Sequence, residues 1–187
     1  QEASASKRNP KREWFIWGDA NEDGGAPNNW LSVFGGSAWT WHEPTGQFYL
    51  HRFLREQPDL NWRNPEVVAA MHQVLRFWLD LGVDGFRVDA PVSLMRDVAM
   101  RDNPPAPAKD ERWGQRQWRI NPEYESQQHL HDLNHPDLHT IFRGMREVLD
   151  AYDHSGSRVL IAEVEPRPWA SARSTKCSRL LRNCFES

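Results

Sequence analysis

Val83-Asp84-Gly85-Phe86-Arg87-Val88-Asp89 and Arg158-Val159-Leu160-Ile161-Ala162-Glu163 are short apolar stretches that each end on a carboxylate. Their length and composition are those of buried strands. Residues 64–82 precede the first. There Asn64 can cap, Pro65 suits the first helical position, and Gly82 suits the exit. Val68, Met71, Leu75, Trp78 and Leu81 recur at helical spacing, which predicts a helix with those residues on one face. Residues 139–152 precede the second stretch and predict another amphipathic helix through Ile141, Phe142, Met145, Val148 and Leu149. The order helix, strand, long connection, helix, strand is that of a parallel α/β architecture. In a barrel of that kind, catalytic groups stand at the C-terminal ends of strands. Asp89 and Glu163 hold those places on consecutive strands. Two strands cannot close a barrel, so most strands are expected to lie outside these 187 residues.

The connection from Pro91 to Pro136 is polar and broken by Pro104-Pro105-Ala106-Pro107. It exceeds an ordinary loop, which points to functional or subdomain character. Residues 1–62 are rich in Gly, Pro, Asn and aromatics without a helical period. They predict an irregular subdomain with short strands, for example Glu13–Trp17 and Gln47–Phe53. The chain holds ten tryptophans. An indole can lie against the C–H face of a sugar, and packing a loop-rich core is its plainer use.

Bulk properties narrow the function. Net charge is -3 and no run of Lys or Arg forms a phosphate-tracking face, which argues against a nucleic-acid partner. No apolar run spans a bilayer and no signal-peptide pattern appears, so no membrane partner is expected. Two cysteines, Cys177 and Cys184, make no disulfide framework, and a cytoplasmic location is the expectation. On one helix they would stand roughly 10 Å apart, too far to bridge. The chain begins Gln1-Glu2-Ala3 without Met, so its natural start is expected upstream.

Two carboxylates on neighbouring strand ends suit glycoside hydrolysis. A retaining enzyme holds its nucleophile and its acid/base about 5–5.5 Å apart. One attacks as the anion while the other donates a proton to the leaving oxygen. Arg87 lies two residues before Asp89, on the same side of the strand, where a cation favours and orients the carboxylate. A structural Arg–Asp pair with Glu163 as a helix cap fits the same spacing.

Gly85-Phe86-Arg87-Val88-Asp89-Ala90 resembles the nucleophile strand of the α-amylase superfamily of glycoside hydrolases, and Leu160-Ile161-Ala162-Glu163-Val164 resembles its acid/base strand. Gln57-Pro58-Asp59-Leu60-Asn61 is similar to the signature of its oligo-1,6-glucosidase and α-glucosidase group. So are Pro27-Asn28-Asn29-Trp30, Phe34-Gly35-Gly36-Ser37-Ala38-Trp39, Phe77-Trp78-Leu79 and Arg101-Asp102-Asn103-Pro104-Pro105. The resemblance runs in order from residue 1 to about Pro166. It implies a loop-rich B domain over 1–62 and part of a catalytic (β/α)8 TIM barrel over 63–166, roughly strands 4–5 and helices 3–4. It implies Asp89 as nucleophile, Glu163 as acid/base and Arg87 as partner of the nucleophile. Phe34 and Gln57 would shape substrate access at the mouth. The family's third acidic residue and its earlier Asp/His strand have no counterpart here. Residues 167–187 form a basic tail that matches nothing in the family.

The implied activity is a retaining α-glucosidase acting on malto- or isomalto-oligosaccharides by double displacement, without cofactor or metal. This chain would be an inactive fragment of it. Ala90, small and next to the nucleophile, resembles the α-1,4-preferring members. Trehalose synthase, sucrose hydrolase and transglucosylase share the covalent intermediate and differ in the acceptor. Amino-acid-transporter heavy chains resemble the family but usually lack the carboxylates and carry a membrane anchor.

Two metal-like patterns compete. His129, His131, Asp132, His135, Asp137 and His139 could suit zinc, but Pro136 interrupts the register, and a polar loop feeding the helix is expected. Asp19-Ala-Asn21-Glu-Asp23-Gly24 mimics the start of a calcium loop whose twelfth position is Trp30 instead of Glu. A turn rich in Asn and Gly is expected there.

Overall fold

The computed structural model describes residues 6–106 and 121–163. Within the aromatic-rich N-terminal region, β1 (Trp17–Gly18), β2 (Trp39–His42) and β3 (Gln47–Leu50) form an antiparallel sheet in the order β1-β3-β2. Trp39 pairs with Leu50 and Trp17 with Tyr49. Alternation sends Trp39 and Leu50 to one face, where they build a core with Trp30 and Ala38. Trp30 and Trp39 stack at 6.2 Å, and their indole N–H groups are spent on the Arg101 carbonyl and Asn28 Oδ1. For these two residues, core packing is the use the structure reveals.

The expected strand at Glu13–Trp17 is mostly absent. Arg12–Trp14 form a 3-10 turn, because the buried Arg12 side chain is drawn inward onto Thr45 Oγ1 and Gln47 Oε1. The strand expected over Gln47–Phe53 stops at Leu50, and the Arg52 N–H is taken by Asp59 Oδ1. Strand β2 went unpredicted, although Trp-Thr-Trp-His carries aromatic and β-branched preference.

Four further elements follow: α1 (Pro65–Asp80), β4 (Gly85–Val88), α2 (Leu138–Asp150) and β5 (Val159–Ala162). Asn64 caps α1 by accepting from the Glu66 N–H at 2.8 Å, and Gly82 takes φ 89° at its exit. The buried residues of α1 are Val67 and Leu79, whereas Trp78 and Leu81 of the expected face lie exposed. Apolar residues surround most of this helix, so a 3.6-residue period fits more than one stripe. The face of α2 follows the reading: Ile141, Phe142, Met145, Val148 and Leu149 are all buried, with Leu138. Each such side chain contributes about 1.5–3 kcal/mol on burial. Gly144 lets the helices approach, since a Cβ there would stand 3.1 Å from His72 Cε1.

Strands β4 and β5 pair in parallel, with Gly85 opposite Val159 and Val88 opposite Ala162. Glycine is required at position 85, because a Cβ would run into the Val159 carbonyl. Leu160 is buried while Val159 and Ile161 are exposed.

The chain divides into two compact units, Gln1–Asn61 with Asp97–Asp132 and Trp62–Arg96 with Leu133–Ser187. Chain order alone kept the 91–136 connection with the second region; the fold gives 97–132 to the first. Asn29 and Asn103 explain this locally. Asn29 Nδ2 donates to the Asn103 carbonyl at 2.9 Å and the Asn103 N–H to Asn29 Oδ1 at 2.8 Å. Two motifs read separately in the sequence are thus one hydrogen-bonded seam. The 167–187 tail, with both cysteines, lies outside the described residues.

Candidate active site

In the parallel register, Val88 faces Ala162, so the next residues out, Asp89 and Glu163, leave the sheet side by side. Adjacent strands lie about 4.8 Å apart. The last ladder bond, Glu163 N–H to the Val88 carbonyl at 3.0 Å, fixes that exit. Arg87 Nη2 lies 2.5 Å from Glu163 Oε2 and 3.6 Å from Asp89 Oδ1. One guanidinium therefore reaches both carboxylates, and its nearer partner is Glu163. The sequence reading had paired it with Asp89 alone. The diagonal contact across the strands becomes available only once the register is known.

The three side chains are open to solvent, at 59% for Arg87, 75% for Asp89 and 53% for Glu163. Exposed ion pairs add roughly 0–1 kcal/mol to stability. Holding the fold together is thus a poor account of two carboxylates and a cation gathered at strand ends. Ala90 follows with φ 41° and ψ 43°. A residue with a Cβ costs about 1–2 kcal/mol in this left-handed region. Such strain is typical of functional sites.

Phe34 and Gln57 belong to the first unit, whereas Arg87, Asp89 and Glu163 belong to the second. Phe34 is exposed, with its ring 6.2 Å from that of Phe53. Gln57 is exposed too, its Oε1 accepting from the Leu54 N–H at 3.3 Å. The rest of the Gln57–Asn61 stretch is structural: Asp59 holds the Arg52 backbone, and Asn61 Nδ2 donates to the Glu13 carbonyl.

The histidine-rich segment has other work. His129 Nδ1 meets Asp132 Oδ2 at 2.8 Å and its Nε2 meets the Tyr124 carbonyl at 2.8 Å, which engages both ring nitrogens. His131 Nδ1 lies 3.8 Å from Asp97 and His135 Nδ1 lies 3.4 Å from Asp137. Among the described residues, no group of three or more His, Cys, Asp or Glu could hold a metal ion. Asn21 makes the expected turn, its Oδ1 accepting from the Asp23 and Gly25 N–H groups. No helix among the described residues is long and apolar enough to cross a membrane.

Sequence reasoning missed a buried network around Asp132. Its carboxylate accepts from Arg52 Nη1 at 3.3 Å and from Asn103 Nδ2 at 2.9 Å, besides meeting His129. Arg52 also reaches the Tyr124 hydroxyl. Burial tends to raise the Asp132 carboxyl, but the His129 hydrogen bond, the Arg52 and His129 charges and the Asn103 amide outweigh it and hold it down at about 2. The only signal in the sequence was a charged pair eighty residues apart, which no local pattern joins.

The family description "Alpha amylase, catalytic domain" matches residues 1–175, running past Pro166, where the motifs stop. The probable alpha-glucosidase of Rhizobium meliloti is 44% identical over 151 residues, covering 81% of this chain and 27% of that protein. The oligo-1,6-glucosidase of Parageobacillus thermoglucosidasius is 40% identical over 153 residues, covering 81% and 25%. The crystal structure of the alpha-glucosyl transfer enzyme XgtA superposes with a TM-score of 0.79 at 41% identity, covering 88% of this chain and 30% of that one. The chain thus spans about a quarter of the length of the curated relatives it matches. The resemblance drawn from the motifs is borne out: the chain belongs to the α-amylase catalytic-domain family.

Proposed function

We propose that this chain carries two catalytic carboxylates of a retaining α-glucosidase, with Asp89 as nucleophile and Glu163 as acid/base. The observation that supports it most is the single Arg87 guanidinium reaching both carboxylates at the ends of adjacent parallel strands. On this reading β4 and β5 are the fourth and fifth strands of a (β/α)8 barrel, and residues 1–62 are its B domain. Residues 63–166 belong to the barrel in chain order, with 97–132 packed against the loop-rich unit. Phe34 and Gln57 shape substrate access; their exposure suits that role.

In the first step an Asp89 carboxylate oxygen attacks the anomeric carbon, and the glycosidic C–O bond breaks. Glu163 gives its proton to the departing oxygen. The guanidinium of Arg87 follows the negative charge, which passes from Asp89 to Glu163 as the ester forms. In the second step Glu163 takes a proton from water, whose oxygen displaces Asp89 and restores the starting configuration. The substrates are malto- or isomalto-oligosaccharides or disaccharides. A cytoplasmic setting accords with the two-cysteine composition.

The assignment is tested in the full-length enzyme carrying this segment. Asp89→Asn abolishes turnover without unfolding. Glu163→Gln still forms the glucosyl-enzyme from a substrate whose leaving group needs no proton, and azide then releases α-glucosyl azide. A β-azide product, or intact activity in Asp89→Asn, would show the roles or residues to be wrong. A second reading is favoured by the likeness to XgtA: the same intermediate passes its glucosyl group to another alcohol. Product analysis with maltose as donor and acceptor separates the two, since transfer releases one glucose and yields a trisaccharide, whereas hydrolysis yields two glucose molecules and nothing longer.

A further inference from the structure

Asp89 leaves β4 through a backbone turn that is held from below. Ala90 sits in the left-handed region at φ 41°, where an L side chain is strained. Its carbonyl accepts twice from one residue, from the Ser93 N–H at 3.1 Å and from Ser93 Oγ at 2.7 Å. Ser93 is buried, and its own carbonyl accepts from Arg96 Nη2 at 2.6 Å. Arg96 is buried in turn, and its carbonyl accepts from Arg63 Nη2 at 2.9 Å. Pro91, between Ala90 and Ser93, is fully buried and fixes its own φ. The Asn134 N–H donates to the Val92 carbonyl at 2.9 Å, which ties the same turn to the entry of α2.

We propose that Ser93 is a positioning residue for Asp89: its hydroxyl, bound to the Ala90 carbonyl, holds the strained turn that aims the carboxylate. The inference rests on Asp89 being the nucleophile. Exposed as it is, Asp89 takes little restraint from packing around its side chain, so its direction is set chiefly by the backbone behind it. A strained residue stays strained only where its surroundings over-determine it. The double acceptance at one carbonyl is such a restraint. Losing the hydroxyl leaves the weaker backbone bond alone and lets Ala90 relax toward the extended region that a residue before proline prefers, which swings Cα–Cβ of Asp89 away from its line of attack.

The test uses the full-length enzyme with Ser93→Ala, Ser93→Thr and Ala90→Gly. Labelling by an activated fluoroglucosyl fluoride isolates the first step: the Asp89 oxygen bonds to the anomeric carbon, the C–F bond breaks, and fluoride leaves with its electron pair. Labelling is read by mass spectrometry per natively folded molecule. Ser93→Ala is expected to lower kcat and the labelling rate together by about tenfold with KM nearly unchanged. Ser93→Thr, which keeps the hydroxyl, recovers most of the rate. Ala90→Gly, which removes the restriction on the turn but keeps its hydrogen bonds, slows labelling a few-fold. A wild-type labelling rate in Ser93→Ala overturns the proposal, as does a loss in Ser93→Ala that Ser93→Thr fails to recover. Should Ser93→Ala not fold, the Ala90→Gly labelling rate decides alone. Asp89→Asn separates the two levels: if it remains active, the nucleophile assignment falls. If it is dead and unlabelled while Ser93→Ala labels normally, only the positioning role falls.

Discussion

Replacing Asp132 by asparagine keeps shape and volume but removes the one carboxylate that Arg52 and His129 share. Two magnitudes follow. The carboxyl stands at about 2 against an ordinary 3.8, a difference worth about 2 kcal/mol. Its sign is that of a depressed acid. The stabilisation is complete above the ordinary value and is lost as pH falls from about 4 toward 2. Removing the charge altogether strands a buried guanidinium, which costs about 3 kcal/mol at the lower end for breaking a buried pair. Hydrogen exchange read peptide by peptide measures this locally. Four amides report on the first unit: Asp97 to the His131 carbonyl, Ala106 to Ser126, Gln128 to Pro104, and His131 to Asn103 Oδ1. In Asp132→Asn these amides should exchange roughly a hundredfold faster at neutral pH. Peptides from β4 and β5 should be unchanged. Acidification of the wild type toward pH 2 should reproduce the pattern, with a smaller response in the variant, where Asp97, held down to about 2 chiefly by its Arg101 hydrogen bond, still titrates. Exchange within about threefold of wild type at the four amides would refute the view that Asp132 ties residues 97–132 to the loop-rich unit.

Other outcomes follow from particular contacts. His72 Nε2 is buried against Gly144 without a partner. Burial and then the Arg76 charge lower its pKa, while Glu147 on α2 opposes them. A base depressed in this way contributes fully above its ordinary 6.5 and loses that contribution as pH falls below it. Exchange in α1 and α2 should therefore quicken as pH falls below 6.5, and His72→Gln should weaken the response while His139 on α2, also lowered by burial, still titrates. Ala90→Val in the full-length enzyme should shift cleavage from maltose toward isomaltose, read as a ratio of kcat/KM values; equal ratios would remove Ala90 from the linkage argument. The 187-residue chain alone leaves Phe77, Trp78, Val159 and Ile161 exposed. It should bind a hydrophobic dye, aggregate, and show no hydrolysis of p-nitrophenyl α-glucoside.

How much was legible beforehand depended on the range of the interaction. The buried face of α2 could be read because a helix repeats its contacts every three or four residues, and Ile141 through Leu149 obey that period. The ends of β4 and β5 could be read because strand signals are also local, and Asp89 and Glu163 interrupt apolar runs. The turn at Asn21 was written in its own residues. α1 was ambiguous, since apolar residues on several sides leave the choice of face to whatever packs there.

The sequence by itself thus determined the two helices α1 and α2, the strands β4 and β5, where two carboxylates leave those strands, and the family to which the chain belongs. Tertiary structure decided what no local period encodes. It gave residues 97–132 to the loop-rich unit through the Asn29–Asn103 seam. It joined Arg52 to Asp132, eighty residues away along the chain. Parallel register gave Arg87 Glu163 as its nearer partner. The physical reason is shared by all three: each contact joins residues that chain entropy keeps apart until many other contacts form. Their pairing is therefore a property of the assembled fold and leaves no mark in either local stretch.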